Sequence, residues 1–227
     1  MKLKLKIIFS ILILCLMAQF ITRADVSVSG SLTHTKNAKV GETYQGTIVI
    51  KNDGDEPQEA KLYQTDYLFF FDGKSIYGEP GKIPRSNANW ITFSPRRPLV
   101  PARSELEVNY TVKVPNDANL KGTYWSMIMV EGVEKEPLDP AYGKSENGKI
   151  KMGIRTIMRY GVQMVTNIGD TGTRKLKFMA AKLLKEGEGR ILQIDIENVG
   201  ERRLIPVLWA ELYDGKGNNI GKFEGGR

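Results

Sequence analysis

Few side chains in this sequence have the types and spacing that catalysis or metal binding needs. The chain has a single cysteine, Cys15, and a single histidine, His34. A Ser-His-Asp triad would have to use His34, but that residue lies in a polar N-terminal segment, and the sequence contains no Gly-x-Ser-x-Gly nucleophile elbow. One histidine and one cysteine also cannot build a two-histidine metal site or a cysteine-type zinc site. We therefore expect His34 to be an exposed strand or loop residue, and we expect no metal and no cofactor.

Paired carboxylates are the other route to catalysis. Asp66, Asp72 and Glu79 could serve a carbohydrate-active enzyme, which needs two carboxyl groups about 5–9.5 Å apart. Their spacing does not single out any two of them. The sequence also lacks the glycine motifs that bind phosphates or dinucleotides. These observations predict a protein that is not an enzyme and that acts by binding another protein.

The most suggestive pattern is the stretch KIKMGIRTIMRYGVQMVT, residues 149–166. Its even positions are mostly apolar and its odd positions are mostly basic or small. This period of two is typical of a β-strand. A helix would spread the apolar residues around its surface and would include Gly153 and Gly161, each at a cost of about 1 kcal/mol. We predict one strand over 149–166, roughly 45–50 Å long at ~3.3 Å per residue, which is longer than ordinary sandwich strands. It follows a polar, turn-rich segment, residues 131–148, which we expect to be a surface loop. A strand that outruns its neighbours should present an unpaired backbone edge beside that loop.

The rest of the sequence predicts short strands separated by turns. Residues 105–114 show the clearest alternation, with apolar side chains at the even positions and polar ones at the odd positions. Turn residues such as Asn52-Asp53-Gly54 and Asp72-Gly73 separate the strand-like segments. Many short strands at this spacing are typical of an all-β sandwich. The other predicted strands are Thr47–Lys51, Ala60–Phe71, Trp90–Phe93 and Thr123–Val130.

An internal repeat indicates two such sandwiches. The sequence Ile-Lys-Asn-Asp-Gly-Asp at 50–55 recurs as Ile-Glu-Asn-Val-Gly-Glu at 196–201, and Asp-Gly-Lys at 72–74 recurs at 214–216. We therefore predict two Ig-like domains, residues 25–168 and 169–227. Only eleven residues follow the second Asp-Gly-Lys, so we expect the second domain to be incomplete. Either the chain is truncated, which we favour, or something else completes that domain.

The first 24 residues are typical of a secretory signal peptide. Three lysines precede an apolar run, Ile7–Ile21, that is short of the ~20 residues a membrane-spanning helix needs. The alternative is an uncleaved membrane anchor. The segment carries four basic residues and no acidic residue, so the net charge of +7 falls to +3 without it. We expect cleavage before Asp25, a mature protein in the periplasm, the cell envelope or the extracellular space, no membrane insertion and no nucleic-acid partner.

Two Ig-like domains behind a signal peptide, with a long strand that ends the first domain, resemble the periplasmic pilus chaperones of the PapD-like superfamily. In that family the strand donates alternating apolar residues to an incomplete pilus subunit, and a basic residue anchors the carboxylate of the subunit. The resemblance implies that Ile150, Met152 and Ile154 are donor residues and that Arg159 is the anchor. Arg155 is a second basic residue of the proposed partner-binding strand. The Lys-Leu-Phe-Tyr-Arg-Pro ending of the family is replaced here by Arg-Tyr-Gly-Val-Gln-Met at 159–164.

A second, looser resemblance is to exported bacterial Ig-like proteins, including cell-wall WxL-associated modules. It rests on Trp90–Pro95, Pro101–Ser104, Val112–Pro115 and Gly122–Tyr124. Two functional hypotheses follow. The chain is an exported, chaperone-like protein that binds a subunit of a surface structure by donor-strand addition, or it is a structural or adhesive module of the cell envelope. In the second case the apolar residues of 150–154 pack within their own domain, and the arginines pair with acids on neighbouring strands.

Overall fold

The computed structural model describes residues 26–70, 72–133 and 157–225, and these residues form an all-β protein, as predicted. Apart from one 3-10 turn at Ala88–Trp90, the regular structure consists of strands, and no helix of the described residues is long and apolar enough to cross a membrane. The strands up to residue 168 are β1 (Val26–Ser29), β2 (Thr33–Ala38), β3 (Thr43–Asn52), β4 (Gln58–Phe69), β5 (Ser75–Gly78), β6 (Ile91–Ser94), β7 (Leu99–Val100), β8 (Ser104–Lys113), β9 (Gly122–Gly132) and β10 (Arg159–Ile168).

These ten strands form two sheets that enclose a common apolar core. One sheet has the order β1-β3-β8-β6, and the other has the order β2-β10-β9-β4-β5, with β7 paired to β4. The core side chains come from alternate positions of the strands in both sheets, as expected when one face of each sheet is buried. Its most deeply buried members include Ile48, Ile50, Val108, Val112, Ile128, Val130 and Val162.

Strand β8 shows how the sequence pattern produces this layering. Val108, Tyr110 and Val112 are buried, whereas Glu105, Glu107 and Asn109 are exposed. The strand lies between β3 and β6, with antiparallel pairing on both sides. The alternation predicted for residues 105–114 is therefore confirmed.

The N-terminal segment contributes one strand to each of the two sheets. Gly30 has a φ of +88°, a conformation that favours glycine, and it separates β1 in one sheet from β2 in the other. β1 pairs with β3, while β2 runs parallel to β10. His34 on β2 is half-buried, and its Nδ1 lies 3.0 Å from the hydroxyl of Tyr110 on the opposite sheet. The expectation of an exposed His34 is therefore wrong, because the residue links the two layers.

The long strand predicted over 149–166 is only partly observed. Ile157 and Met158 are not in a strand, so a continuous strand over 149–166 is wrong; β10 begins at Arg159 and extends to Ile168. The physical reason is the length of its neighbour, because the register of β9 against β10 reaches only to Glu131 opposite Arg159. The apolar even face is confirmed, since Val162 and Met164 are buried. Residues 149–156 lie outside the described residues.

Two hairpins follow the sandwich. β11 (Leu176–Glu186) pairs with β12 (Gly189–Asn198), and β13 (Trp209–Tyr213) pairs with β14 (Asn219–Glu224). Among the described residues after Ile168, none is buried. The part of the chain predicted as an incomplete Ig-like domain therefore contains strands without a core of its own. The domain division at residue 168 remains a prediction.

Backbone and side-chain hydrogen bonds hold the turn after β12 against the start of β9 and against the segment that follows β10. The Thr123 amide donates to the Glu201 carbonyl at 2.9 Å, and the Arg203 amide donates to Thr123 Oγ1 at 3.0 Å. The Arg202 guanidinium donates to the carbonyls of Gly169 and Thr171 at 3.2 and 3.1 Å. The Glu201 carboxylate has its pKa lowered to about 2, first by Lys121 and then by the amide and hydroxyl of Thr173. This joint connects the start of β9 to the second part of the chain.

Candidate protein-binding edge

Strand β10 has one fully paired side and one partly open side. β9 pairs with it over its whole length, from Arg159 opposite Glu131 to Ile168 opposite Gly122. On the other side β2 pairs with it only from Gln163 to Ile168. Within the described ranges nothing pairs with Arg159–Val162 on that side, so these four residues form an open edge.

Alternate residues of β10 direct their backbone N–H and C=O groups toward the open edge, where another strand could pair with them. The Gln163 amide donates to the Leu32 carbonyl of the β2 side at 2.8 Å, and the Gly169 amide donates to Ala38. Odd-numbered residues of β10 therefore direct their N–H and C=O groups toward the β2 side. By the same alternation, Arg159 and Gly161 direct theirs toward the open edge. An extended segment placed beyond the end of β2 could pair with these groups.

The inward side chains near the open edge belong to the sandwich. Val162 and Met164 are core residues, and Tyr160 is partly buried against the same core. The apolar face of β10 is therefore already packed from Tyr160 onward. On this face, the open edge therefore exposes backbone groups and part of the Tyr160 ring. It does not expose a row of free apolar side chains.

The outer face carries a row of charges across three strands. Arg159 Nε lies 2.6 Å from Glu131 Oε2, and Lys61 Nζ lies 3.6 Å from the other oxygen of the same carboxylate. The Tyr63 hydroxyl donates to Glu131 at 3.3 Å. The hydrogen bond to Glu131, together with its charge, raises the pKa of Arg159. Burial, followed by the nearby charge of Glu131, raises the pKa of Tyr63.

Gly161 leaves space for a neighbouring side chain on this outer face. A Cβ at this position would lie 2.4 Å from Met127 Sδ, so the methionine occupies the volume that another residue would fill. Met127 and Met129 are both buried on β9. The glycine thus permits close packing directly beside the open backbone.

Of the predicted partner-binding residues, only Arg159 lies within the described part of the chain. Ile150, Met152, Ile154 and Arg155 lie outside it. Arg159 forms an ion pair with Glu131 on the neighbouring strand β9. This is the pairing that the second hypothesis, a structural or adhesive module, predicted for the arginines. Sequence reasoning missed Glu131, which was assigned to the start of a loop, and it missed β2 as the neighbour of β10. The Thr-Tyr-Trp-Ser-Met-Ile-Met-Val-Glu alternation at 123–131 contained the signal for Glu131, because its odd positions share one face.

Each of the carboxylates considered for catalysis contacts groups of its own local segment. Asp66 is buried and accepts hydrogen bonds from the amides of Gly81, Lys82 and Ile83. Asp72 pairs with Lys74 at 2.7 Å, and Glu79 lies 3.9 Å from Lys82. Over the described ranges, no three side chains of the histidine, cysteine, aspartate or glutamate types lie together in a group that could hold a metal ion.

Comparison with known proteins gives matches among solved structures. No family model matches the chain, and no curated protein matches its sequence. A chaperone–tip adhesin complex of CFA/I fimbriae is similar at 13% identity over 88% of this chain and 85% of that chain, with a TM-score of 0.48. The CsuC-CsuE chaperone–tip subunit complex of the Csu pili of Acinetobacter baumannii is similar at 13% identity over 89% and 88%, with a TM-score of 0.44.

A PapD-like domain of human CEP192 is similar at 15% identity over 68% of this chain and 94% of that chain, with a TM-score of 0.41. These similar structures are pilus chaperones in complex with their subunits and a PapD-like domain, the kind of protein that the sequence resembles. Their low identities and TM-scores carry no argument about function, which has to rest on the geometry of β10.

Proposed function

We propose that this chain binds an extended segment of another protein by strand addition at the open edge of β10. One observation carries the proposal: β9 pairs with all of β10, whereas β2 leaves Arg159–Val162 unpaired on the other side. Strand addition uses such an edge, because main-chain hydrogen bonds supply affinity and alternate side chains supply specificity. The bound segment would extend the sheet from the point where β2 begins.

The more specific form of the proposal is a chaperone-like role in assembling a surface structure. The protein would be exported through residues 1–24 to the periplasm or cell envelope. Ile150, Met152 and Ile154 would be donor residues that enter an incomplete partner, with Arg155 and Arg159 contacting its polar groups. Arg159 would bind a partner carboxylate only in exchange for Glu131, which lies 2.6 Å away.

A matched pair of substitutions at one residue tests the role of the edge. Arg159→Pro and Arg159→Ala both remove the guanidinium, but only proline also removes the N–H that faces the open edge. We expect Arg159→Pro to weaken binding of the partner about tenfold more than Arg159→Ala does, since one backbone hydrogen bond and the fit of the incoming strand are lost. The measurement is recovery of exported partners from a periplasmic or surface extract, followed by titration of the recovered partner.

The donor residues need a separate experiment. Ile154→Asp should abolish recovery of the partner while the circular dichroism and unfolding midpoint stay at wild-type values. If Arg159→Pro and Ile154→Asp recover the same partners as the wild type, strand addition at this edge is wrong.

The second candidate is a structural or adhesive module of the cell envelope. The Arg159–Glu131 pair favours it, because an arginine satisfied within its own sheet needs no partner. The buried Val162 and Met164 favour it for the same reason. This role predicts that all substitutions at Arg159 leave partner recovery unchanged.

A further inference from the structure

Asn109 on β8 is followed two residues later by Thr111, and the residue between them is not proline. An Asn-x-Thr sequence of this kind is the acceptor for N-linked glycosylation. Every other asparagine of the sequence lacks a serine or threonine two residues later. The chain therefore has one acceptor sequence, and the structure describes all three of its residues.

The side chain of Asn109 projects from the outer face of the β1-β3-β8-β6 sheet. Successive side chains of a strand point to opposite faces, and the adjacent residues Val108 and Tyr110 enter the core, whereas Asn109 is exposed. Thr111, two residues on, lies on the same outer face and is half-buried. The amide and the hydroxyl of the acceptor sequence are therefore on the same side of the sheet.

One cross-strand hydrogen bond orients the amide of Asn109. The Thr47 hydroxyl on β3 donates to Asn109 Oδ1 at 3.2 Å. Among the described residues, no acceptor is bonded to Asn109 Nδ2. Because Nδ2 is the atom to which a sugar becomes attached, the bond between Thr47 and Oδ1 can stay in place after the attachment.

The surroundings of Asn109 on this face are small and polar. Its neighbours across the sheet are Thr47 on β3 and Ser94 on β6. Along β8 the nearest residues on the same face are Glu107, which is exposed, and Thr111. None of these four side chains is aromatic or large and apolar. A sugar attached at Nδ2 therefore has room above the sheet.

We propose that Asn109 is N-glycosylated in the chain that is exported through residues 1–24. The donor is an oligosaccharide joined through its C1 carbon to a lipid pyrophosphate. The bond between C1 and the phosphate oxygen breaks, the bond between C1 and Asn109 Nδ2 forms, and the amide loses one proton as the lipid pyrophosphate leaves. The transfer needs no oxidant or reductant. It depends on the export of the chain but not on strand addition at β10.

The sheet determines when the sugar can be added. Asn109 lies in the interior strand β8, which pairs with β3 on one side and β6 on the other. The extended backbone holds Asn109 and Thr111 roughly 6.6 Å apart along the strand axis. An enzyme that has to enclose both side chains cannot do so in the middle of a sheet. The sugar is therefore added before β8 pairs with its neighbours, and after folding it stands on the outer face.

A glycan at Asn109 distinguishes the outer faces of the two sheets. The open edge at Arg159–Val162 belongs to the other sheet, β2-β10-β9-β4-β5, so a glycan on β8 leaves that edge accessible. The glycan is bulky and hydrophilic, and it covers the outer face of the β1-β3-β8-β6 sheet. That face is then unsuited to docking of a protein.

Mass spectrometry of the exported protein from the cells that naturally express it tests the proposal. The peptide that contains Asn109 should carry an added sugar mass, and the same peptide from cells without N-glycosylation should not. Asn109→Gln and Thr111→Val should each lose the added mass, whereas Thr111→Ser should keep it, because serine supplies the same hydroxyl. Asn119→Gln is the matched control and should keep it, since Asn119 is an exposed asparagine with Lys121 two residues later.

The outcomes separate this proposal from strand addition at β10. Asn109→Gln should leave partner binding at the open edge unchanged, and Arg159→Pro should leave the sugar in place. An unmodified Asn109 in the exported protein overturns the proposal, as does an added mass that persists in Thr111→Val. A chain that is not exported overturns it as well, while binding at the open edge can still be measured with the purified protein.

Discussion

The carboxylate of Asp66 holds together the segment that follows β5. Asp66 is 2% exposed, and it accepts the amides of Gly81, Lys82 and Ile83 together with the hydroxyl of Ser86. Burial by itself would raise the pKa of Asp66, but the hydrogen bonds from Ser86 and the three amides together lower it below its ordinary value of 3.8. The ionised form is therefore the one that the fold binds.

This depressed pKa has a defined effect on stability. Because the folded-state pKa lies below the unfolded-state value, Asp66 contributes its full stabilisation above the ordinary pKa of 3.8 and loses it as pH falls through the folded pKa. Asp66→Asn should cost about 1–3 kcal/mol near neutral pH, since the amide cannot accept all the donors. Urea denaturation at several pH values should show this cost shrinking toward acid pH. Asp117→Asn, at an exposed turn, should cost no more than about 0.5 kcal/mol, and an equal loss at all pH values for Asp66→Asn would contradict the assignment.

A partner carboxylate that bound Arg159 would have to displace Glu131, which holds the guanidinium at 2.6 Å. The pair is largely exposed on the arginine side, so Glu131→Gln should change the free energy of unfolding by at most about 1 kcal/mol. The same substitution should tighten binding of the partner segment severalfold if Arg159 contacts a partner carboxylate, because the internal carboxylate is gone. Glu107→Gln on β8 removes the same charge from the other sheet and serves as the control. Weaker binding in Glu131→Gln than in Glu107→Gln would mean that Arg159 acts only within its own sheet.

Among the structural elements, the turn that follows β12 is held most closely to the sandwich at Gly122. Gly122 has a φ of +77°, and a Cβ there would lie 2.3 Å from the Glu201 carbonyl oxygen. Gly73 has a similar φ of +80° with no atom within 4 Å of its Cβ position. Gly73→Ala should therefore cost about 1 kcal/mol for its backbone conformation alone.

Gly122→Ala should cost clearly more, because a backbone atom must move as well. Its extra effect should appear as faster hydrogen exchange at the Thr123 amide, which donates to Glu201. Equal unfolding free energies for Gly73→Ala and Gly122→Ala would mean that the turn is not held against β9.

The strands differ in how well they could be predicted from the sequence. The alternation of residues 105–114 predicted β8 because each apolar residue enters the core and each polar residue meets solvent. β2 could not be predicted in this way, because Thr-His-Thr-Lys-Asn-Ala has no apolar face and gains its place from pairing with β10, more than a hundred residues later. The length of the strand predicted over 149–166 indicated an unpaired edge, but the position of that edge at Arg159–Val162 could not be predicted, for the same reason. An edge is defined by where a neighbour stops, and local periodicity does not contain that information.

At the scale of the whole molecule, the buried core is confined to one part of the chain. Every buried residue of the described ranges lies between Val26 and Ile168, while the four later strands are held by hairpin hydrogen bonds and by the joint at Glu201. Isolated two-stranded hairpins are marginally stable in water. The two parts should therefore differ in stability unless the C-terminal hairpins are covered.

Hydrogen exchange measured residue by residue compares the two parts of the chain. Amides of β11–β14 should exchange orders of magnitude faster than those of β8 and β9, because opening a hairpin exposes little apolar surface. Slow exchange in β12 would mean that this strand is stabilised by contacts beyond its own hairpin.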